Sequence, residues 1–123
     1  MTPRVTHITI YGRNLQRMIG FYHDTLGLPL QARDDAFDYA RVDGGSVHIS
    51  LGAGEPNPEL GIHVGVHTGI CFEVPDIDDA YEALKAKGVT FTMPPKRQGW
   101  GGYMAMFKDP DGNVLQLMPP EAG

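Results

Sequence analysis

Two histidines and a glutamine occupy positions that an internal symmetry of the chain makes equivalent. Val42 to Leu51 reads as a turn followed by an apolar strand with one polar interruption, and Lys108 to Met118 repeats that order. When Asp43 is laid over Asp111, His48 falls on Gln116. A polar side chain in an apolar strand needs a partner, because burying it unpaired costs about 1–3 kcal/mol. Each is therefore a structural hydrogen-bonder or the lining of a polar pocket. A second overlay, of one helical stripe on the other, sets Leu15 on Ile77 and His7 on Gly69 to within one residue. His7, His48, Gly69 and Gln116 thus lie on the first and last strands of two similar halves. If the symmetry brings those strands together, these positions converge in one cup. Imidazole nitrogen and amide oxygen are suitable ligands for Zn, Fe, Ni or Mn. A lone strand histidine is usually structural; for a matched pair, both the structural and the metal-binding readings stand.

Residues two apart on a strand share a face. Thr9 and Tyr11 would line the cup beside His7, Ser50 beside His48, and Cys71 and Glu73 beyond Gly69. Val114 and Met118 flank Gln116, and His67 shares the parity of Gly69. Cys71 also reads as a small buried hydrophobe, since nothing basic adjoins it. Trp100, between glycines, reads as a lid aromatic or a dimer contact, and His23 and His63 read as solvated.

The elements that must position these residues are legible in order. Val5 to Tyr11 alternates as a strand between an apolar and a polar environment. Asn14 is a good N-cap; Leu15, Met18, Ile19, Tyr22 and Leu26 form a helical stripe, and Gly27 ends it. Strands are expected over 28–33 and 36–42, and a surface linker over about 53–67. The pattern then restarts. Ile70, Phe72 and Val74 alternate, Asp76 caps a stripe of Ile77, Ala80, Tyr81 and Leu84, and Gly88 closes it. Residues 89–93 and 103–107 are strand candidates, with Pro94 to Gly99 as loop between them. Asp109-Pro110-Asp111-Gly112 has β-turn chemistry before the last strand. Each half reads β-α-β-β-β, and a half of this size buries its sheet face poorly alone. The expected fold is α+β: two βαβββ modules in tandem, about 4–52 and 68–119, forming a curved mixed sheet around a cup within a single domain.

Composition narrows the class of function. The 123 residues and 41% apolar content fit one soluble globular domain. A formal charge of −5 argues against nucleic acid and anionic membrane surfaces as partners. No apolar run approaches the roughly 18–20 residues of a spanning helix, and Met1-Thr2-Pro3-Arg4 does not open a signal peptide. The single cysteine excludes an intrachain disulfide, and a cytoplasmic location is expected.

From about Thr6 to Pro119 the chain resembles the vicinal oxygen chelate superfamily, which includes glyoxalase I, bleomycin-resistance proteins, fosfomycin-modifying enzymes and extradiol dioxygenases. The pieces that carry the resemblance are His7-Ile8-Thr9-Ile10, Phe21 to Gly27, Ile70 to Val74 with Asp76-Ile77, Trp100 to Tyr103, and Asp109 to Asn113. Their order and spacing are specific for the fold and unspecific for the reaction. The resemblance implies metal ligands on the first and last strands of each module. His7 matches a common histidine ligand, His48 stands where glutamate is frequent, Gly69 where histidine is frequent, and Gln116 where glutamate is usual. His67 substitutes for the missing ligand if the register shifts by two, and Glu73 offers a carboxylate from further along the same face.

Two functions follow as expectations. The first is a divalent-metal-dependent lyase, isomerase or oxygenase acting on a small oxygen-rich substrate. His7, His48 and Gln116 would be ligands and Glu73 or a metal-bound hydroxide the base; Thr9, Tyr11, Ser50, His67, Cys71, Trp100 and Tyr103 would contact substrate. The second is a metal-free protein that binds or sequesters a small molecule such as a cationic drug. A homodimer is expected in either case.

Overall fold

The computed structural model describes residues 1–120 of the chain. It divides into two compact units, residues 1–64 and 65 onward, each built on one four-stranded mixed sheet. No helix among the described residues is long and apolar enough to cross a membrane.

The first unit contains β1 (His7–Gly12), α1 (Leu15–Ile19), β2 (Leu30–Asp34), β3 (Tyr39–Asp43) and β4 (His48–Ala53), with sheet order β1-β4-β3-β2. β1 and β4 are parallel, and the other pairs are antiparallel. Alternation splits the sheet into two faces. Ile10, Ile49, Leu51, Ala40 and Val42 are buried with Leu15, Met18, Ile19 and Tyr22 of the helical segment. The opposite face carries His7, Thr9 and Tyr11 from β1 and His48, Ser50 and Gly52 from β4.

Asn14 caps α1 as expected, its Oδ1 accepting from the Arg17 backbone N–H at 2.9 Å. The expected single helix does not continue as an α-helix, however. Gly20–Thr25 is π-helical, with Leu26 N–H bonded to Phe21 O. Gly27, at φ 82°, ends it, and Leu28 N–H reaches back six residues to Tyr22 O, which closes the wide π-helical turn. His23, expected to be solvated, is part of that closure, because its Nδ1–H donates to Leu28 O at 2.8 Å. The strand expected from 36 also starts later. Asp35–Phe37 is a 3-10 turn begun by Asp34, whose carboxylate accepts from Ala36 N–H.

The second unit contains β5 (His67–Glu73), α2 (Ile77–Ala86), β6 (Thr90–Arg97), β7 (Tyr103–Lys108) and β8 (Val114–Met118), in order β5-β8-β7-β6. β5 and β8 are parallel, which repeats the β1–β4 arrangement. Asp76 caps α2 by accepting from Asp79 N–H. Phe107, Leu115, Leu117 and Ala105 are buried on one face, and Phe91 and Phe72 flank Phe107 there. β6 corrects the expectation that Pro94 and Pro95 belong to a loop. They lie inside the strand, which is an edge strand interrupted by two register shifts, so the missing N–H groups cost no ladder bond.

The turn before β8 is held by a buried side-chain network. Asp109 Oδ1 accepts from the backbone N–H of Asp111 and of Asn113, and its Oδ2 accepts from Asn113 Nδ2, all at 2.9 Å. Asn113 Oδ1 in turn accepts from Gly65 N–H and Val66 N–H at 2.8 and 3.0 Å. The turn thereby fixes the chain that leads into β5.

Candidate functional site

On the first unit the parallel pairing sets His7 directly beside His48, with Thr9 beside Ser50 and Tyr11 beside Gly52. The two imidazoles face each other with ring centroids 4.8 Å apart and planes tilted by 34°. His7 is exposed and His48 half-buried. His7 Nδ1 is 2.8 Å from Thr6 Oγ1, and His48 Nδ1 is 2.7 Å from Gln31 Oε1. Both rings thus have one nitrogen occupied within the protein, which leaves Nε2 of each for a further partner. Ser50 is buried, and its hydroxyl meets Tyr39 OH at 3.2 Å. A cavity of about 330 Å³ opens beside His48 between the residues before β1 and the β3–β4 turn, with Arg4, Thr6, Asp43 and Ser46 on its wall. A second cavity of about 200 Å³ lies at the far end of the same strand pair. Tyr11, Phe37 and Tyr39 give it an aromatic lining, and Asp38 and Glu55 supply carboxylates.

On the second unit the same face carries Gln116 beside Cys71, and Met118 beside Glu73. β5 has the two-residue shift on which a role for His67 depends. His67 pairs with Val114 and Cys71 with Gln116, so three residues of β5 oppose one of β8. Gly69 turns this bulge at φ 73°, a conformation that any side chain there would strain. Thr68 staples it, since its hydroxyl donates to Val114 O at 2.8 Å and accepts from Ile70 N–H at 3.1 Å. The bulge carries His67 to Gln116, where the two Nε2 atoms are 3.2 Å apart and the amide N–H donates to the imidazole lone pair. The glycine at the position of an expected ligand is thus the residue that lets a neighbouring histidine approach.

Other expected site residues lie elsewhere. Cys71 is exposed rather than buried, because it shares the open face with Gln116; partial desolvation pushes its thiol pKa up, which disfavours the reactive thiolate. Tyr103 alternates away from Met106 and Gln116, onto the side of the sheet that α2 covers. Its hydroxyl donates to Asp78 at 2.8 Å, and this bond raises the phenol pKa. The Arg97 guanidinium lies 5.5 Å over its ring. Tyr103 clamps strand to helix on the face opposite Gln116, contrary to the expectation that it contacts substrate beside that residue. Trp100 is 66% exposed in the β6–β7 connection, with its indole against Gly102. Glu73 is exposed at the end of β5. Among the described residues no three His, Cys, Asp or Glu side chains are grouped to hold one ion, so the donors present are the imidazole pair and the imidazole–amide pair.

Sequence reasoning missed Gln31 and Arg41. Gln31 Oε1 meets His48 Nδ1, and Arg41 Nε donates to that same oxygen.

Comparison with known proteins agrees with this architecture. The chain is 29% identical over 119 residues to glutathione transferase FosA of Serratia marcescens, covering 95% of this chain and 81% of that protein. A glyoxalase/bleomycin resistance protein/dioxygenase superfamily member from Sphaerobacter thermophilus superposes with a TM-score of 0.80 at 33% identity, covering 98% of this chain and 99% of the other. TnmS3, an antibiotic binding protein from Streptomyces sp. CB03234, gives the same TM-score at 26% identity, with 98% of each chain covered. With residues 4–117 matching the family model, two like units of one βαβββ order and these neighbours, the chain belongs to the Glyoxalase/Bleomycin resistance protein/Dioxygenase superfamily.

Proposed function

We propose that this chain is a divalent-metal-dependent enzyme of its superfamily, a lyase, isomerase or oxygenase acting on a small substrate with two neighbouring oxygens. The observation that carries this reading is the in-register pairing of His7 and His48 on parallel strands, with rings 4.8 Å apart on an open face. Two imidazoles so placed offer two nitrogens to one Zn, Fe, Ni or Mn ion. Such an ion supplies Lewis acidity to adjacent substrate oxygens. Within the second unit, taken by itself, Gln116 and the His67 bonded to it are the polar side chains of the equivalent face, and Glu73 is a carboxylate there suited to moving a proton. Arg4, Thr6 and Ser46 around the cavity beside His48 orient a polar substrate, while Thr9 and Tyr11 continue the same face. The test is metal loading of the chelator-stripped chain with each of the four ions, followed by desalting. Near-stoichiometric retention of one of them is expected. Background retention of all four by folded protein would overturn the reading.

One observation favours a metal-free binding protein instead. The cavity lined by Tyr11, Phe37 and Tyr39 and edged by Asp38 and Glu55 suits a flat organic cation. The similarity to an antibiotic binding protein points the same way. Background metal retention would leave this reading in place.

We also propose that the chain acts as a homodimer. β1 and β2 end the order of the first sheet and β5 and β6 that of the second, and proteins generally cover such edges. Light scattering should give the mass of two chains at about micromolar concentration, and a monomer mass would contradict this.

A further inference from the structure

The hydrogen bond on His48 has a direction that its neighbours fix. His48 Nδ1 lies 2.7 Å from Gln31 Oε1, and the same oxygen lies 3.1 Å from Arg41 Nε. An arginine Nε–H only donates, so the group facing it is the amide oxygen; a flipped amide would set two donors head to head. An amide oxygen only accepts. The proton of the neutral His48 ring therefore sits on Nδ1, and Nε2 keeps its lone pair. His7 lacks this constraint, because the Thr6 hydroxyl beside its Nδ1 both donates and accepts.

The backbone explains how Gln31 comes to be there. Leu30 pairs with Val42 and Ala32 with Arg41, so β2 carries one extra residue between them, and that residue is Gln31. A bulge of this kind places two residues opposite one and re-aims the added side chain. On β3, Arg41 pairs with Ser50, and Asp43 pairs with His48, so Arg41 shares the face of His48. Without the bulge, β2 would keep strict alternation, and Gln31 and Ala32 could not both stand opposite Arg41.

We propose that Gln31, anchored by Arg41, is a positioning residue that locks His48 in the Nδ1–H tautomer and presents its Nε2 lone pair to an electrophile. That electrophile is the divalent cation of the proposed function, on which this part of the inference rests. The lock needs no cation to exist. A free neutral histidine favours the opposite tautomer, with the proton on Nε2, so the state of His48 reports the lock directly.

The test uses the full-length chain, ¹⁵N-labelled and stripped of metal, at about pH 8, above the ordinary imidazole pKa. Long-range ¹H–¹⁵N spectra should show His48 protonated on Nδ1 with a bare Nε2. Gln31→Leu should shift the ring toward Nε2–H, and Gln31→Glu, which keeps an acceptor, should restore the wild-type pattern. With zinc as the probe, Gln31→Leu should bind about 10- to 100-fold more weakly, and Gln31→Glu should recover most of the loss. A wild-type His48 protonated on Nε2 would overturn the proposal. So would a Gln31→Leu variant that changes tautomer yet binds zinc as the wild type does. If the tautomer responds as expected and no form of the chain takes up zinc, the metal reading fails while the lock stands.

Discussion

Asn113→Ala should lower the stability of the second unit by about 2–4 kcal/mol. Asn113 is 1% exposed, and the partners of its amide include Gly65, Val66 and Asp109. Truncation leaves the Gly65 and Val66 N–H groups without their acceptor and removes one donor from the buried Asp109 carboxylate. For a unit of this size the melting midpoint should fall by about 10 °C or more. Asn113→Asp separates the contributions, since it keeps the acceptor for Gly65 and Val66 but sets a second carboxylate against Asp109. A midpoint unchanged in Asn113→Ala would show that the turn does not anchor the entry to β5.

The turn and both helix starts were legible because their chemistry is local. Asn14, Asp76 and Asp109 each satisfy backbone donors within four residues of themselves, and that pattern is visible in sequence. The pairing of His7 with His48 was also foreseeable, since internal symmetry and strand parity together predict it. What stayed hidden depends on register. The bulge at Gly69 and the bulge at Gln31 each redirect one side chain, and alternation along a single strand contains no record of the partner strand. Pro94 and Pro95 misled for a related reason, because a proline breaks a central strand but not an edge, and sequence does not say which strand is the edge. Tyr103 faces away from Gln116 because it alternates with Met106 along β7.

The central claim, that the imidazole pair binds a metal, rests most directly on His48. Its ring lies on the open face against His7, with Nδ1 bonded to Gln31, so His48→Ala should cost about 0.5–1 kcal/mol of stability. The same change removes one of the two nitrogens offered to a cation, and affinity at such a site depends steeply on ligand count. The decisive measurement is metal per folded chain, by elemental analysis after loading and desalting, on wild type and His48→Ala side by side. Near-stoichiometric metal is expected in the wild type and background in the variant, with melting midpoints within a few degrees (about 1 kcal/mol or less). Stoichiometric metal retained by a folded His48→Ala chain would contradict it and place the ion on other residues.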